Sequence, residues 1–126
     1  MKAVLDASAL LAYLQNEPGC KAVEKVLEES CISAVNWSEV VQKSIAAGVD
    51  IEGMRDDLEA LGLLIHDFTS VHADTAGRLW ALTKRFGMSL GDRACMSLGI
   101  ALNLPVLTTD KEWRKPNLSL RVNVIR

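Results

Sequence analysis

Apolar positions in this chain follow two periods. Short apolar runs of strand length are separated by longer stretches in which apolar residues recur every three or four positions, the spacing of one helix face. Residues 2–5 read as a first strand that starts almost at the N-terminus. Leu10, Leu11 and Leu14 follow at helical spacing, and Pro18-Gly19 breaks that helix. Val23, Val26 and Leu27 mark a second helix, with Lys21, Glu24, Lys25, Glu28 and Glu29 as its solvated face. Residues 31–35 form a second strand. Asn36 then opens a helix: its side chain suits a cap, and Glu39 three residues on completes a capping box. Val40, Val41 and Ile45 carry that helix's apolar face, and Gly48 ends it. Residues 50–61 are a further helix, 63–66 a third strand, and 70–86 a long helix with Leu79, Leu82 and Phe86 inward. Ser89-Leu-Gly-Asp92 starts the next helix in the same capping-box manner. Its continuation to residue 102 is small or apolar on nearly every side, which predicts burial. Asn103 and Pro105 end it. Residues 106–108 are a fourth strand, Thr109-Asp110 begins a short turn through Trp113, and 122–125 are the last strand.

Strands alternating with helices predict a three-layer α/β/α sandwich around a mainly parallel sheet, and 126 residues suit one domain spanning 1–126. In such sheets the working cleft lies beyond the carboxyl ends of the strands, where strand order reverses. Asp6 and Asp110 directly follow strands. Glu39 and Asp92 fall in the first turns of helices entering from the same edge. Four carboxylates far apart in sequence are thus expected to share one cleft, with no basic residue interleaved. Taken singly, each reads as a helix cap or a partner of a helix dipole, but capping does not explain why all four share one edge. Two like charges about 4 Å apart repel by about 4 kcal/mol at an effective dielectric near 20, so such a pocket protonates or binds cations. Mg²⁺ and Mn²⁺ favour oxygen ligands and keep several waters, which suits a carboxylate cage.

The formal net charge of -2 gives no global basic excess, the usual footprint of a nucleic-acid binder. Contact with RNA or DNA would rest on local basic residues and bound metal. Lys111, Arg114 and Lys115, flanking the Asp110 turn, are the best placed for phosphate steering. Lys84 and Arg85 beside Phe86 read as a solvated helix end, Arg93 as a surface or interface residue, and Lys43 as an ion-pair partner of Glu39 one turn away. His66 and His72 have no partner at metal spacing and read as core or surface residues; Asp67 follows a strand placed toward the sheet edge. Trp37, Trp80 and Trp113 read as core or dimer packing. Cys20, Cys31 and Cys95 form no CxxC pair and suit reduced thiols in a cytoplasmic protein. The N-terminal apolar stretch is broken at Asp6, unlike a signal peptide or a membrane span.

Four pieces in order, Asp6-Ala-Ser8 after the opening strand, Asn36-Trp-Ser-Glu39, Leu90-Gly-Asp92-Arg93 leading into a small-residue helix, and Leu104-Pro-Val-Leu-Thr-Thr-Asp110 with Trp113, span nearly the whole chain. In these pieces the chain resembles the PIN-domain ribonucleases, and among them the VapC-type toxins of toxin–antitoxin pairs. That resemblance implies that Asp6, Glu39, Asp92 and Asp110 correspond to an acidic quartet binding Mg²⁺ or Mn²⁺, with Ser8 and Thr108 at pocket-supporting positions. It further implies hydrolysis of phosphodiester bonds in single-stranded or loop RNA, a homodimer, and an antitoxin whose tail enters the cleft. Asp6 and Asp92 are then the main ligands, with Asp110 close behind and Glu39 serving a second ion or the attacking water. Other readings are a free-standing PIN nuclease in RNA processing and a non-catalytic binding module. A phospho-acceptor domain fits less well: the first strand ends in a single Asp6 rather than an acidic pair, and no Lys follows the last strand in the expected place.

Overall fold

The computed structural model describes residues 1–126. Its strands are β1 (Ala3–Leu5), β2 (Ser30–Ser33), β3 (Leu64–His66), β4 (Val106–Thr108) and β5 (Val122–Val124). They form one sheet in the order β3-β2-β1-β4-β5, parallel throughout. Parallel neighbours require crossovers, and six helices take part in them: α1 (Ala7–Leu14), α2 (Cys20–Glu24), α3 (Ala34–Ala46), α4 (Met54–Ala60), α5 (Ser70–Thr83) and α6 (Leu90–Leu102).

The period-two alternation of the central strands makes the layers. Ala3, Leu5, Ile32 and Leu107 point into one core with Leu10, Leu11, Val23, Val40 and Leu58 from α1 to α4. Val4, Cys31 and Val106 point into the other with Leu79 of α5, Met96 and Leu98 of α6, and Trp113. The expected α/β/α sandwich is the fold. Leu5 pairs with both Ile32 and Leu107, so β2 and β4 each end one residue beyond β1, at the same edge. The chain builds β2 and β3 on one side of β1 and then crosses to place β4 on the other. The order therefore reverses between β1 and β4, the kind of point where α/β sheets open a crevice.

Several local readings need correction. β2 stops at Ser33, whose Oγ accepts from Val35 N at 3.3 Å and caps α3, so Asn36 lies inside the helix and Glu39 in its second turn. Ile45 is 56 % exposed rather than inward. The inward stripe of α5 is His72, Ala76, Leu79 and Thr83, which leaves Leu82 on the outside. A 3-10 turn, Lys84–Phe86, follows α5 and takes Phe86 out of the helix. α4 starts only at Met54, because Gly53 sits at φ +79° just before it. α2 ends at Glu24, and Leu27–Glu29 is a 3-10 turn. His72 has a role the spacing did not suggest: its Nδ1 accepts from Thr69 N at 3.3 Å and completes the cap of α5. Asp67 does follow the edge strand β3.

α6 is buried as its composition predicted, at Gly91 and from Ala94 through Gly99. A Cβ built on Gly99 would stand 2.6 Å from Val106 Cγ1, so the bare glycine is what lets α6 lie against β4. All three cysteines are free thiols, and burial pushes Cys31 up to about 11. No helix is long and apolar enough to cross a membrane.

Candidate active site

Asp6 leaves β1 and caps α1. Its Oδ1 accepts from Ala9 N at 2.8 Å and from Ser8 Oγ at 2.7 Å, and its Oδ2 accepts from Thr108 Oγ1 at 2.6 Å. A carboxylate has about four acceptor positions; three are filled, which leaves one, on Oδ2. Thr108 is fully buried at the end of β4 and also accepts from Asp110 N at 3.1 Å. Ser8 Oγ accepts from Thr109 N at 3.0 Å, so the turn after β4 is laced to the turn after β1. Burial raises Asp6 to about 6, although all three hydrogen bonds oppose the shift; the nearby charge of Asp92 adds to it.

Asp92 sits in the first turn of α6. Its Oδ2 accepts from Ser89 N at 2.9 Å while Ser89 Oγ accepts from Asp92 N at 3.1 Å, the reciprocal box expected from the sequence. Partial burial raises its pKa, the Asp110 charge raises it further, and Lys43 pulls the other way. Asp110 caps the 3-10 turn Lys111–Arg114 through Glu112 N at 2.9 Å and is the most open of the four acids.

Glu39 is held from two sides. Asn36 Nδ2 donates to Glu39 Oε1 and to the carbonyl of Gly91, each at 2.9 Å, and so ties α3 to the start of α6. A Cβ built on Gly91 would meet Glu39 Oε1 at 2.5 Å. Glycine inside a helix costs about 1 kcal/mol relative to alanine; here it makes room for a carboxylate. Asn36 is 1 % exposed, and its Oδ1 is buried without a partner.

Asp6, Glu39, Asp92 and Asp110 line one cleft of about 450 Å³, together with Ser8, Asn36 and Thr109. Thr108 stands behind Asp6 rather than in the lining. Lys43 also lines the cleft and makes no ion pair, so the expected Lys43–Glu39 pair is absent and the cleft is not purely acidic. Arg93 turns away: its Nη1 donates to Ala76 O of α5 at 2.8 Å. Of the tryptophans, Trp113 is buried, Trp37 packs against the first core, and Trp80 is exposed. No three of the acids are grouped tightly enough to ligate one ion together. The cleft and that spacing agree if an ion takes one or two carboxylates and keeps water on its other positions, the habit of Mg²⁺. All-oxygen donors, a buried carboxylate with a lone pair free, and an orphaned amide oxygen fit a hard, hydrated dication.

Asn36, Gly91 and Lys43 are the parts of the site that sequence reasoning assigned otherwise or passed over. The signal for Gly91 was present: a glycine beside Asp92 in the first turn of an otherwise well-formed helix.

No curated protein matches the chain in sequence. Among solved structures, a chain of VapBC2 from Rickettsia felis bound to a promoter DNA fragment superposes with TM-score 0.71 at 18 % identity, covering 98 % of each chain. A toxin–antitoxin complex from Klebsiella pneumoniae gives 0.69 at 18 %, covering 90 % of this chain and 92 % of that one. VapBC-1 from nontypeable Haemophilus influenzae gives 0.71 at 17 %, covering 98 % and 97 %. At such identities the likeness is one of fold. The family model of the PIN domain matches residues 3–117, nearly the whole length, and the chain therefore belongs to the PIN domain family.

Proposed function

We propose that this protein is a divalent-metal-dependent endoribonuclease that hydrolyses phosphodiester bonds in single-stranded or loop RNA, and that it is the toxin of a toxin–antitoxin pair. The observation that carries the catalytic part is the meeting of Asp6, Glu39, Asp92 and Asp110 in one cleft at the β1/β4 switch point. PIN-domain membership supports nuclease chemistry. The toxin part is supported by the solved toxin–antitoxin complex of the same fold.

In this reading Asp6 and Asp92 would hold the ion, with Asp110, the most open of the acids, close behind. Mg²⁺ or Mn²⁺ held by these carboxylates would supply a water of lowered pKa and Lewis-acid stabilisation of the phosphate. The network from Ser8 and Thr108 fixes the orientation of the Asp6 oxygens. Burial makes Asp6 costly to ionise, and a dication held beside it would offset that cost and favour the carboxylate form. Glu39, immobilised by Asn36, is positioned to orient the attacking water or to serve a second ion. Lys43 offsets part of the charge near Asp92. By family analogy the products carry a 5′-phosphate and a 3′-hydroxyl.

Cleavage of single-stranded RNA should need Mg²⁺ or Mn²⁺, stop with a chelator, and vanish in a folded Asp92→Asn variant. Cleavage by Asp92→Asn at the wild-type rate rules the assignment out. For the toxin part, a short upstream gene encoding a DNA-binding protein should relieve growth arrest on co-expression; no arrest on expression alone favours a free-standing nuclease.

A further inference from the structure

One hollow elsewhere in the molecule carries charge of the opposite sign. It measures about 330 Å³ and is lined by Lys84, Arg85, Phe86, Lys115 and Asn117 over an apolar floor from α5, with no acidic residue in the lining. Its cations come from two segments about thirty residues apart, the 3-10 turn after α5 and the end of the 3-10 turn after β4. The sequence shows two short basic runs; only the fold brings them together. Trp113, 1 % exposed in the second turn, shares a core cluster with Leu79 and Met88, and Phe86 packs against the same cluster. The two turns are therefore locked to each other.

The cations are also presented to solvent. Lys84 Nζ lies 5.0 Å from the ring centre of Trp80, and the Arg85 guanidinium carbon 5.3 Å from that of Phe86. Neither takes part in any of the protein's five ion pairs. Lys115 pairs with Glu112 at 2.6 Å, an exposed pair of the kind whose net stabilisation is small, so a phosphate can replace the carboxylate. Trp80, 53 % exposed, carries Lys84 over its indole ring and leaves about half of its surface open to solvent. Basic side chains combined with exposed aromatic rings are the usual platform for single-stranded nucleic acid, phosphates on the cations and bases on the rings.

The hollow is also near the acid cleft. The turn Lys111–Arg114 starts from Asp110, in the cleft lining, and leads into Lys115, in the hollow lining. At about 2 Å rise per 3-10 residue, the two sites are about 10 Å apart along the turn, or about three nucleotides at the 3.4 Å spacing of a stacked strand. We propose that this hollow is a docking subsite for the phosphate backbone of single-stranded RNA, a few nucleotides from the bond held in the acid cleft. The inference rests on the nuclease reading for its orientation toward the cleft, and its test is made without cleavage.

The experiment measures binding of the full chain to a short, labelled, mixed-sequence single-stranded oligoribonucleotide, in chelator, between about 50 and 200 mM salt. Lys84→Glu/Arg85→Glu/Lys115→Glu should weaken binding at least tenfold and flatten the slope of log K against log salt by about 2, at about 0.7 per phosphate contact. Lys21→Glu/Lys25→Glu, on the other face of the sheet, should change neither by more than about twofold. If charge reversal unfolds the chain, the alanine triple carries the same test, with an expected loss of the same sign. Equal effects from the two sets of variants, or no RNA binding by the wild type, overturn the proposal. So does a drop in sedimenting mass of the triple variant with RNA affinity unchanged, which would assign the hollow to contact with a second copy. If patch-dependent binding is found but no cleavage occurs in Mg²⁺ or Mn²⁺, the nuclease reading fails while the subsite stands.

Discussion

In the acid cleft, side chains are fixed by hydrogen bonds, local caps together with two ties between elements, Thr108 to Asp6 and Asn36 to Gly91. Asp6 accepts from a strand end, its own turn and a helix backbone, while Glu39 is gripped by Asn36 and fitted against Gly91. In the basic hollow Lys84 and Arg85 lie over aromatic rings without any ion pair, and Lys115 makes only an exposed pair with Glu112. The difference matches two tasks. Orienting a reacting group demands tight positioning, because a misplacement of about 1 Å can cost about a hundredfold in rate. Holding a flexible polyanion demands charge within reach and tolerates side-chain motion. Substitutions in the cleft should therefore act through geometry and proton affinity, and substitutions in the hollow through charge alone.

The sharpest way to break this comparison is to remove a carboxylate without changing its shape. Asp6→Asn should lower RNA cleavage by at least about a hundredfold, given the several kcal/mol that a correctly held metal supplies. Stability should move the other way. The folded pKa of Asp6, about 6, lies above its ordinary 3.8, so the folded state holds its proton more tightly than the unfolded state. The associated stability is fully present below about pH 4 and is lost as pH rises to about 6; above that, the ionised group costs the fold about 3 kcal/mol. The amide keeps an oxygen for Ser8 and Ala9 and can donate to Thr108. Asp6→Asn should thus unfold at higher denaturant concentration than wild type at about pH 8, with the gap closing near pH 4. A gap that does not change with pH would show that the burial of Asp6 does not control its proton.

Gly91→Ala comes next. The added methyl must push the Glu39 carboxylate aside, so cleavage should fall about tenfold to a hundredfold. Alanine's helix preference of about 1 kcal/mol keeps the cost in melting stability small. Asn36→Ala should lose a comparable share of activity and also about 1–3 kcal/mol of stability, because its two hydrogen bonds, to Glu39 and to the Gly91 carbonyl, are lost together. An unaffected rate in both variants would mean that Glu39 needs no clamp.

These two residues also show where sequence reading stops. The strand–helix alternation, the burial of α6 and the Ser89–Asp92 box are local patterns, and the structure contains them as read. The placement of the four acids at one edge follows from the strand ends before Asp6 and Asp110 and from the helix starts near Glu39 and Asp92. Asn36, three residues before Glu39, has the spacing of a helix cap. Its second bond, to Gly91 fifty-five positions away, is set by how α3 meets α6. Lys43 was paired with Glu39 on helix spacing, whereas the cleft holds it near Asp92 instead. The hollow formed by Lys84, Arg85 and Lys115 depends on the burial of Trp113, a tertiary event with no local signature.

The smallest effect separates charge from geometry. Lys43→Ala removes a cation from the cleft lining without touching any hydrogen bond between the acids. Mn²⁺ affinity, followed by calorimetry, should rise a few-fold, and the pKa of Asp92 should move further up in the metal-free protein because Lys43 lowers it now. Weaker Mn²⁺ binding in this variant would mean that Lys43 organises the site rather than opposing the ion.

The central claim, that these carboxylates exist to hold a dication, is tested most directly by anomalous diffraction from crystals soaked in Mn²⁺. The account predicts a peak in the cleft, in contact with Asp6 and Asp92 and completed by waters, and absent from Asp92→Asn. An empty cleft at saturating Mn²⁺, in a protein that still cuts RNA, would contradict it.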